Sequence, residues 1–257
     1  MLTLSSDFGS PYPAAMKGVI LHRTDARLVD VSHTLPRQDV RAAAFWLRQV
    51  LPEFPPAVHL VVVDPGVGTE RDVVAVRAGD HVLVGPDNGV LVPPARAIAP
   101  GDLTVYVAEE GDPESDTFHG RDVFAPLAAD VHEGGVDRLE RDGAFERTDA
   151  YETIEFPRPE REGDVVRGTV LVVDDFGNAI TNVPGDWIEH HLGEAAIVGD
   201  RRVPIRRTYA ALDPHEALIT IGSHGNVELA VNRGRGSEAF AVGPGDAVVM
   251  TLGASGD

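Results

Sequence analysis

The sequence contains no cysteine, which excludes disulfide bonds and thiolate chemistry. Lysine is almost as scarce, because Lys17 is the only one and nearly every basic side chain is therefore an arginine. No apolar run approaches the roughly 18 residues that a membrane-spanning helix needs, and no charged segment followed by an apolar one opens the chain. These absences predict a cytoplasmic protein that does not enter a membrane.

Acidic residues are abundant by contrast, with 41 against 22 lysines and arginines and a formal net charge of -19. A field this negative repels nucleic acid and anionic membranes, so neither is expected as a partner. The acidic residues are scattered rather than gathered in one tail, which favours a solvated, halophilic surface suited to a high-salt cytoplasm. An acidic protein from an arginine-favouring genome would show the same composition.

The rhythm of the sequence changes beyond a polar, proline-bearing stretch at residues 150–163. Before this stretch, strand-like and helix-like segments alternate, as they do in an α/β unit with a mostly parallel sheet. After it, short β-rich runs are separated by glycine turns. We therefore predict an α/β N-terminal domain over residues 1–155 and a smaller C-terminal β-barrel domain over residues 164–257.

Periodicity predicts the individual elements. Apolar residues at Val40, Ala43 and Leu47 form a helical stripe within residues 39–51, and the apolar run 58–63 is the expected central strand. Further helices are expected at 14–22 and 122–132, and further strands at 3–6, 28–31, 72–77, 81–84, 165–173, 195–198, 217–221, 227–231 and 246–252. The segments 72–77 and 81–84 are expected to form a strand pair.

The most informative motif is Asp64–Arg71 (DPGVGTER), which directly follows the run 58–63. A strand there delivers the Asp64 carboxylate to its carboxyl end, the edge at which open α/β sheets bind ligands. Further along, Thr117–Asp122 (TFHGRD) offers the imidazole of His119. Together Asp64, Arg71 and His119 supply a carboxylate, a guanidinium and an imidazole, enough to hold and polarise one water molecule.

Three further motifs suggest ligand contacts, each with a structural alternative. Asp7 follows the first strand and could accept both hydroxyls of a ribose or could cap the next helix. Asp174–Asn178 (DDFGN) could offer an aromatic face and an amide to a purine and a carboxylate to an ammonium, or could be a turn. Ser223–Asn226 (SHGN) could hold a carboxylate or a ring, or could be a hairpin loop. Gly85–Gly89 (GPDNG) is interpreted as a structural turn.

Several common signatures are missing. There is no phosphate-binding loop of the Walker type and no Gly-x-Ser-x-Gly nucleophile elbow. The Gly66-Val67-Gly68 segment lacks the rest of the dinucleotide-binding fingerprint. His132, His190 and His191 lack companions at ligand spacing, so no metal site is expected.

In their order along the chain, these motifs resemble those of the S-adenosyl-L-methionine (SAM) hydroxide adenosyltransferases. These are adenosine-forming SAM hydrolases related to fluorinase and chlorinase. The resemblance spans nearly the whole chain and implies an N-terminal α/β domain, a C-terminal β-barrel and a homotrimer with the ligand between neighbouring subunits. It also implies cleavage of SAM to adenosine and L-methionine by water-derived hydroxide at the ribose C5′. SAM is then the substrate, and no cofactor is expected.

The resemblance also implies roles for individual residues. Asp64, Arg71 and His119 match the residues that orient the water molecule, although the spacing leaves open which group is the base. The matching substrate-binding residues are Asp7 for the ribose hydroxyls, Phe176 and Asn178 for adenine, Tyr209 for an opposing ring, Asp174 for the methionine ammonium, and Ser223, Glu228 and Val231 for the rest of the pocket.

One position departs from the related halogenases, which place an arginine after the serine to clamp the methionine carboxylate. This chain has His224 there, so either the clamp is looser or an arginine of another subunit serves. Halogenases also carry a neutral residue at the position of Asp64 and lack the histidine. A halogenase is therefore disfavoured, and so is a non-catalytic nucleoside-binding module, which would not need Asp64, Arg71 and His119.

Overall fold

The computed structural model describes residues 1–69, 71–109, 115, 117–141 and 143–253. Glu70 of the DPGVGTER motif lies outside the described residues. The chain divides into two compact units, Met1–Glu155 and Phe156–Asp257, called here the N-terminal and C-terminal units. Within the described part of the chain, every helix is too short or too polar to cross a lipid bilayer.

The N-terminal unit is an α/β structure. Its strands are β1 (Leu2–Ser6), β2 (Leu28–Ser32), β3 (Val58–Val62), β4 (Val73–Ala78), β5 (His81–Pro86), β6 (Leu103–Ala108) and β7 (Phe145–Thr148). Its α-helices are α1 (Tyr12–Leu21), α2 (Val40–Val50), α3 (Val92–Ile98), α4 (Ala125–Gly134) and α5 (Arg138–Arg141). A 3₁₀ turn at Leu51–Glu53 follows α2, and a π-helical turn at Gly120–Phe124 precedes α4.

These strands form a seven-stranded sheet of order β2-β1-β3-β5-β4-β6-β7. The sheet is mixed, so the prediction of a mostly parallel sheet holds for only three of its six strand pairings. β1 is parallel to β2 and β3, and β3 is parallel to β5. β4 is antiparallel to β5 and β6, and β6 is antiparallel to β7. The reason is local: the short Gly79–Asp80 turn joins β4 to β5, and so tight a connection permits only antiparallel pairing.

The chain reverses its direction across the sheet at β1. The chain runs from β1 through α1 to β2 on one side, then returns through α2 to β3 on the other side. Right-handed crossovers place α1 and α2 on opposite faces of the sheet, and accordingly α1 packs against α4 whereas α2 packs against α3. The carboxyl ends of β1 and β3 therefore form a topological switch point, where open α/β sheets bind ligands.

The central strands are buried on both faces, and they also enclose polar side chains. β1, β3 and β5 are buried along their whole length. Between them, Thr3 Oγ1 is 2.8 Å from His59 Nδ1, and His59 Nε2 is 2.9 Å from His81 Nδ1. Burial lowers the pKa of His59 to about 3, with a further contribution from His81. The core therefore holds His59 as a neutral ring.

The C-terminal unit is built almost entirely of strands. These are β8 (Glu160–Glu162), β9 (Val165–Val173), β10 (Ala179–Pro184), β11 (Ala195–Val198), β12 (Arg201–Pro204), β13 (Ala217–Ile221), β14 (Asn226–Val231) and β15 (Ala247–Thr251). The short helices are α6 (Asp186–Glu189) and α7 (Gly236–Phe240), with a 3₁₀ turn at Tyr209–Ala211. The predicted strands 165–173, 195–198 and 217–221 are confirmed with these bounds.

The C-terminal strands form an eight-stranded sheet of order β12-β11-β15-β9-β10-β14-β13, with β8 added on β9. A bridge between Ile205, directly after β12, and Ile219 of β13 connects the two ends of this order. The sheet therefore comes close to a barrel, the closure that removes exposed strand edges. Apolar side chains from all around the sheet, such as Val166, Leu229 and Met250, are buried in one core.

Candidate functional site

A cavity of about 560 Å³ opens in the N-terminal unit where β1 and β3 end. Asp7, directly after β1, and Asp64, shortly after β3, both line it, and so does His119. These residues are far apart in sequence, and the switch point brings them to one place. The cavity therefore combines two carboxylates and an imidazole within the size range of small-molecule sites.

Asp64 forms an ion pair with Arg71. Its Oδ1 accepts hydrogen bonds from Arg71 Nη1 at 2.5 Å and from the Gly66 backbone N–H at 3.0 Å. The Asp64 side chain is only 6% exposed and that of Arg71 28%. Among the described residues that line the cavity, Asp64 is present and Arg71 is not. Arg71 therefore influences the cavity by orienting the Asp64 carboxylate and does not line the cavity itself.

Glycine at position 66 permits this ion pair. A Cβ there would lie 2.5 Å from Nη2 of Arg71, so a larger residue would push the guanidinium away from Asp64. Of the predicted GPDNG turn, Gly85 and Pro86 end strand β5 and Asp87–Gly89 form a bend, which supports the same carboxylate. Asn88 Nδ2 donates to the carbonyl of Val63 at 2.8 Å, and Asn88 Oδ1 accepts from the backbone N–H of Val90 at 3.1 Å. The backbone just before Asp64 is thereby fixed.

Asp7 does not cap the following helix, so the alternative interpretation of this residue is wrong. The N-cap position of α1 is Pro11, and no side chain caps that helix. Instead, Asp7 Oδ2 accepts a hydrogen bond from the backbone N–H of Gln38 at 2.7 Å. This contact orients the carboxylate while the residue remains part of the cavity wall.

His119 is positioned at the start of a widened helix. The π-helical turn Gly120–Phe124 follows it directly, and such turns are frequent at functional sites. Arg121 also lines the cavity and forms a bidentate pair with Asp122, at 2.5 and 2.8 Å. The hydrogen bond from Arg121 lowers the pKa of Asp122, and the nearby His119 adds to the effect. The motif alone assigns no role to this pair.

Three aromatic rings line the same cavity and contact one another edge to face. Phe8 and Tyr12 have ring centroids 6.4 Å apart, Phe8 and Phe118 6.2 Å, and Tyr12 and Phe118 5.4 Å. The guanidinium of Arg121 lies 5.2 Å from the Phe118 ring centroid. Aromatic faces attract cations, and here the guanidinium of Arg121 is such a cation. Composition and spacing did not predict this aromatic wall.

In the C-terminal unit, Asp174–Asn178 forms a tight turn between β9 and β10. Asp174 Oδ1 accepts from the Asn178 backbone N–H at 2.8 Å, and Asp174 Oδ2 accepts from Asn178 Nδ2 at 2.9 Å. Gly177 has a φ of 90°, which favours glycine. The turn interpretation is therefore confirmed, and the turn presents Phe176 with its surface 81% exposed.

A second group of polar side chains adjoins this turn. Tyr209 Oη donates to Glu228 Oε2 at 2.6 Å, and Asn178 Nδ2 lies 3.4 Å from Tyr209 Oη. Glu228 Oε1 is 3.0 Å from His224 Nε2. Burial raises the pKa of Tyr209, as does its hydrogen bond to Glu228, so the hydroxyl remains a donor. Ser223 lies in the turn before β14, and Val231 ends that strand.

The predicted site residues thus fall into two clusters. The first contains Asp7, Asp64, Arg71 and His119 and lies in the N-terminal unit. The second, in the C-terminal unit, joins Asp174, Asn178, Tyr209 and Glu228 by hydrogen bonds. Phe176 lies in the adjoining turn, Ser223 in the turn before β14 and Val231 at the end of that strand. Within residues 1–69, 71–109, 115, 117–141 and 143–253, no group of three or more His, Asp or Glu side chains is arranged to hold a metal ion.

Fold and clusters together define a two-unit protein with a ligand cavity at the switch point of its α/β unit. Family models give this class its name. The family model of the SAM hydroxide adenosyltransferase N-terminal domain matches residues 2–140. The model of the C-terminal domain matches residues 168–249. The chain belongs to the SAM hydroxide adenosyltransferase family, which confirms the resemblance noted in the sequence.

Relatives with assigned names agree with this membership. The (R)-S-adenosyl-L-methionine hydrolase of Salinispora arenicola is 38% identical over 258 residues, 98% of each chain. The protein of the same name from Thermus thermophilus is 41% identical over 253 residues, 93% of this chain and 95% of its own. The crystal structure of an uncharacterized conserved protein from Thermotoga maritima superposes with a TM-score of 0.84 at 32% identity, covering 97% of this chain and 99% of its own.

Proposed function

We propose that this protein hydrolyses SAM to adenosine and L-methionine by attack of a water molecule on the ribose C5′. The observation that carries the proposal is the buried Asp64 carboxylate, oriented by Arg71 and sharing one cavity with Asp7 and His119. The names of the relatives support the substrate. SAM is the substrate in this proposal, and the chemistry below needs no further group.

The reaction balances with these groups. The C5′–S bond breaks and its electron pair leaves with sulfur, so the sulfonium becomes a neutral thioether and needs no acid. The C5′–O bond forms from water, whose proton passes to Asp64 or His119. We treat these two groups as one proton-accepting unit, because both line the same cavity. Fixing water in line with C5′ can recover up to roughly 7–11 kcal/mol of the barrier in ideal cases.

Each cluster is proposed to bind a different part of the substrate. Asp7 binds the ribose hydroxyls, and the aromatic wall of Phe8, Tyr12 and Phe118 lies beside the sulfonium. The C-terminal cluster binds the rest, with Phe176, Asn178 and Tyr209 at adenine, Asp174 at the methionine ammonium, and Ser223, Glu228 and Val231 at the remaining surface. The relatives' names carry the (R) prefix, and we propose the same sulfonium epimer for this chain.

We further propose that the protein assembles as a homotrimer, as the family resemblance implies. Light scattering of the purified protein is expected to give the mass of three chains at micromolar concentration. A monomeric mass at concentrations where SAM is fully hydrolysed would contradict this assembly. That outcome would leave the hydrolase proposal itself in place.

The identity of the nucleophile is tested with purified enzyme and the separate (R) and (S) epimers of SAM in 18O-labelled water. We expect adenosine labelled in its 5′-hydroxyl, formed faster from the (R) epimer, and unlabelled methionine. The products are identified by mass spectrometry. The reaction is repeated in molar chloride, which competes with water for the same carbon atom.

Asp64 is expected to keep chloride out. A second anion at about 4 Å is disfavoured by about 4 kcal/mol at an effective dielectric near 20. Labelled adenosine in both salt conditions therefore supports the proposal. Chlorinated nucleoside from the unmodified enzyme would instead indicate a halogenase. SAM binding without any product would indicate a nucleoside-binding module.

A further inference from the structure

The hydrogen bonds of His224 define its tautomer. The backbone N–H of Asn226 donates to His224 Nδ1 at 3.2 Å, so Nδ1 carries no hydrogen. The other ring nitrogen, Nε2, lies 3.0 Å from Glu228 Oε1 and is therefore the N–H donor of a neutral imidazole. The side chains of His224 and Glu228 are only 8% and 6% exposed. His224 is thus a buried, neutral donor to a carboxylate.

A ring in this state is poorly suited to replace the carboxylate-clamping arginine of related halogenases. Both of its nitrogens are engaged within the C-terminal unit. Its partner Glu228 is a carboxylate, and Asp174 supplies another in the same network through Asn178 and Tyr209. Like charges repel, most strongly where water is scarce. The surroundings of His224 therefore favour a cationic group of the ligand over a carboxylate.

The geometry instead connects His224 to Tyr209. Glu228 receives one hydrogen bond on each oxygen, from His224 on Oε1 and from Tyr209 Oη on Oε2 at 2.6 Å. Tyr209 is 40% exposed, whereas Glu228, which holds its hydroxyl, is buried. Gly222 makes room for the pair, because a Cβ there would overlap both Glu228 Oε1 and His224 Nε2.

We propose that His224 is a positioning residue that orients Glu228, and through it the Tyr209 ring, for the adenosine part of the substrate. In this role it does not bind the substrate's carboxylate. The inference rests on the proposed function for the identity of the substrate. His224 would thus act indirectly on the nucleoside end of the ligand and would not contact its amino-acid end.

Two ligands that the enzyme does not hydrolyse distinguish a role of His224 in adenosine binding from a role in carboxylate binding. Adenosine lacks the amino-acid part, whereas S-adenosyl-L-homocysteine carries it. For His224→Ala we expect both dissociation constants to rise by the same factor, roughly tenfold for a lost charge-assisted hydrogen bond. Isothermal titration calorimetry measures both. His224→Gln should recover most of the affinity, because a glutamine amide can also donate to Glu228.

The coupling to Tyr209 gives a second readout. If His224 acts through Glu228 on Tyr209, then His224→Ala should weaken adenosine binding little further once Tyr209→Phe has removed the hydroxyl. Such non-additivity is what a double-mutant cycle measures. Gly222→Ala should resemble His224→Ala, since it separates the same pair by steric overlap. His190→Ala, which removes an exposed histidine of the same unit, should leave both affinities unchanged, and thermal melting checks that each variant is folded.

A loss of affinity confined to S-adenosyl-L-homocysteine would overturn the inference, because it would place His224 at the carboxylate. Unchanged affinity for both ligands, or additive effects of His224→Ala and Tyr209→Phe, would overturn it as well. These outcomes leave the proposed function standing. If the unmodified protein bound neither ligand and did not turn over SAM, the proposed function would fail, and this inference with it.

Discussion

Replacing Asp64 by asparagine is expected to lower kcat for SAM hydrolysis by roughly 10²–10⁴-fold, the usual contribution of a positioned acid–base group. Asparagine has nearly the same shape and can still accept a hydrogen bond from Arg71. It carries no charge, however, and cannot take up a proton from water. We therefore expect kcat to fall far more than KM changes, as measured by steady-state kinetics on the (R) epimer of SAM.

Asp72→Asn is the matched control for this substitution. Asp72 lies close in sequence but is exposed and outside the cavity wall, so its replacement should leave kcat and KM close to wild type. Arg71→Met should lower kcat in the same direction as Asp64→Asn, because Arg71 acts through the carboxylate that it holds. A wild-type kcat for Asp64→Asn, with the protein folded, would remove this carboxylate from the mechanism.

The place of Asp64, the proposed catalytic carboxylate, was predictable from the sequence because it depends on local pattern and chain topology. The apolar run 58–63 indicates a buried strand, and Asp64 follows its end. Asp7 follows the first strand in the same way. Both ends meet at the switch point because β1 lies between β2 and β3, an order typical of alternating strand and helix segments.

Other parts of the fold depend on contacts that local pattern does not reveal. Helix α3 carries Pro93 and Pro94 in its first turn, a position that tolerates proline, so residues that suggest a break in fact begin a helix. Strand β10 contains Thr181 and Asn182, which interrupt the apolar pattern. Each finds a partner in the fold, since Thr181 donates to the Val227 carbonyl and Asn182 to that of Pro157.

The same limit applies to the candidate site. The aromatic wall joins Phe8 and Tyr12 near the start of the chain to Phe118, and nothing in the spacing of these rings indicates that they meet. The proposed role of His224 depends on which ring nitrogen faces Glu228, and the conformation of the loop before β14 determines this. Motifs thus predict which residues gather at strand ends, whereas the partners of each polar atom require coordinates.

Acidification is expected to destabilise the N-terminal unit through His59. Burial lowers the pKa of this ring from 6.5 to about 3 in the folded state. Between these values the unfolded chain binds a proton that the folded chain does not, so stability rises with pH. The contribution is fully present above about pH 6.5 and is lost as the pH falls toward 3. Within this window the loss amounts to about 1.4 kcal/mol for each pH unit.

His59→Gln isolates this effect, because glutamine does not titrate yet can bond to Thr3 and His81. We expect the variant to be less stable at neutral pH, but to lose about 1.4 kcal/mol less stability per pH unit between pH 6 and pH 4. Urea unfolding at several pH values measures the slope. In a Trp187→Phe background the fluorescence of Trp46 reports on the N-terminal unit alone, because these are the two tryptophans of the chain.

His22→Gln is the matched control, because it makes the same substitution at an exposed histidine directly after α1. Its pH slope should match that of the unmodified protein. Equal slopes for His59→Gln and the unmodified protein would mean that the folded state takes up the proton at His59. A doubly protonated His59 would then donate on both ring nitrogens, to Thr3 Oγ1 and to the unprotonated Nδ1 of His81.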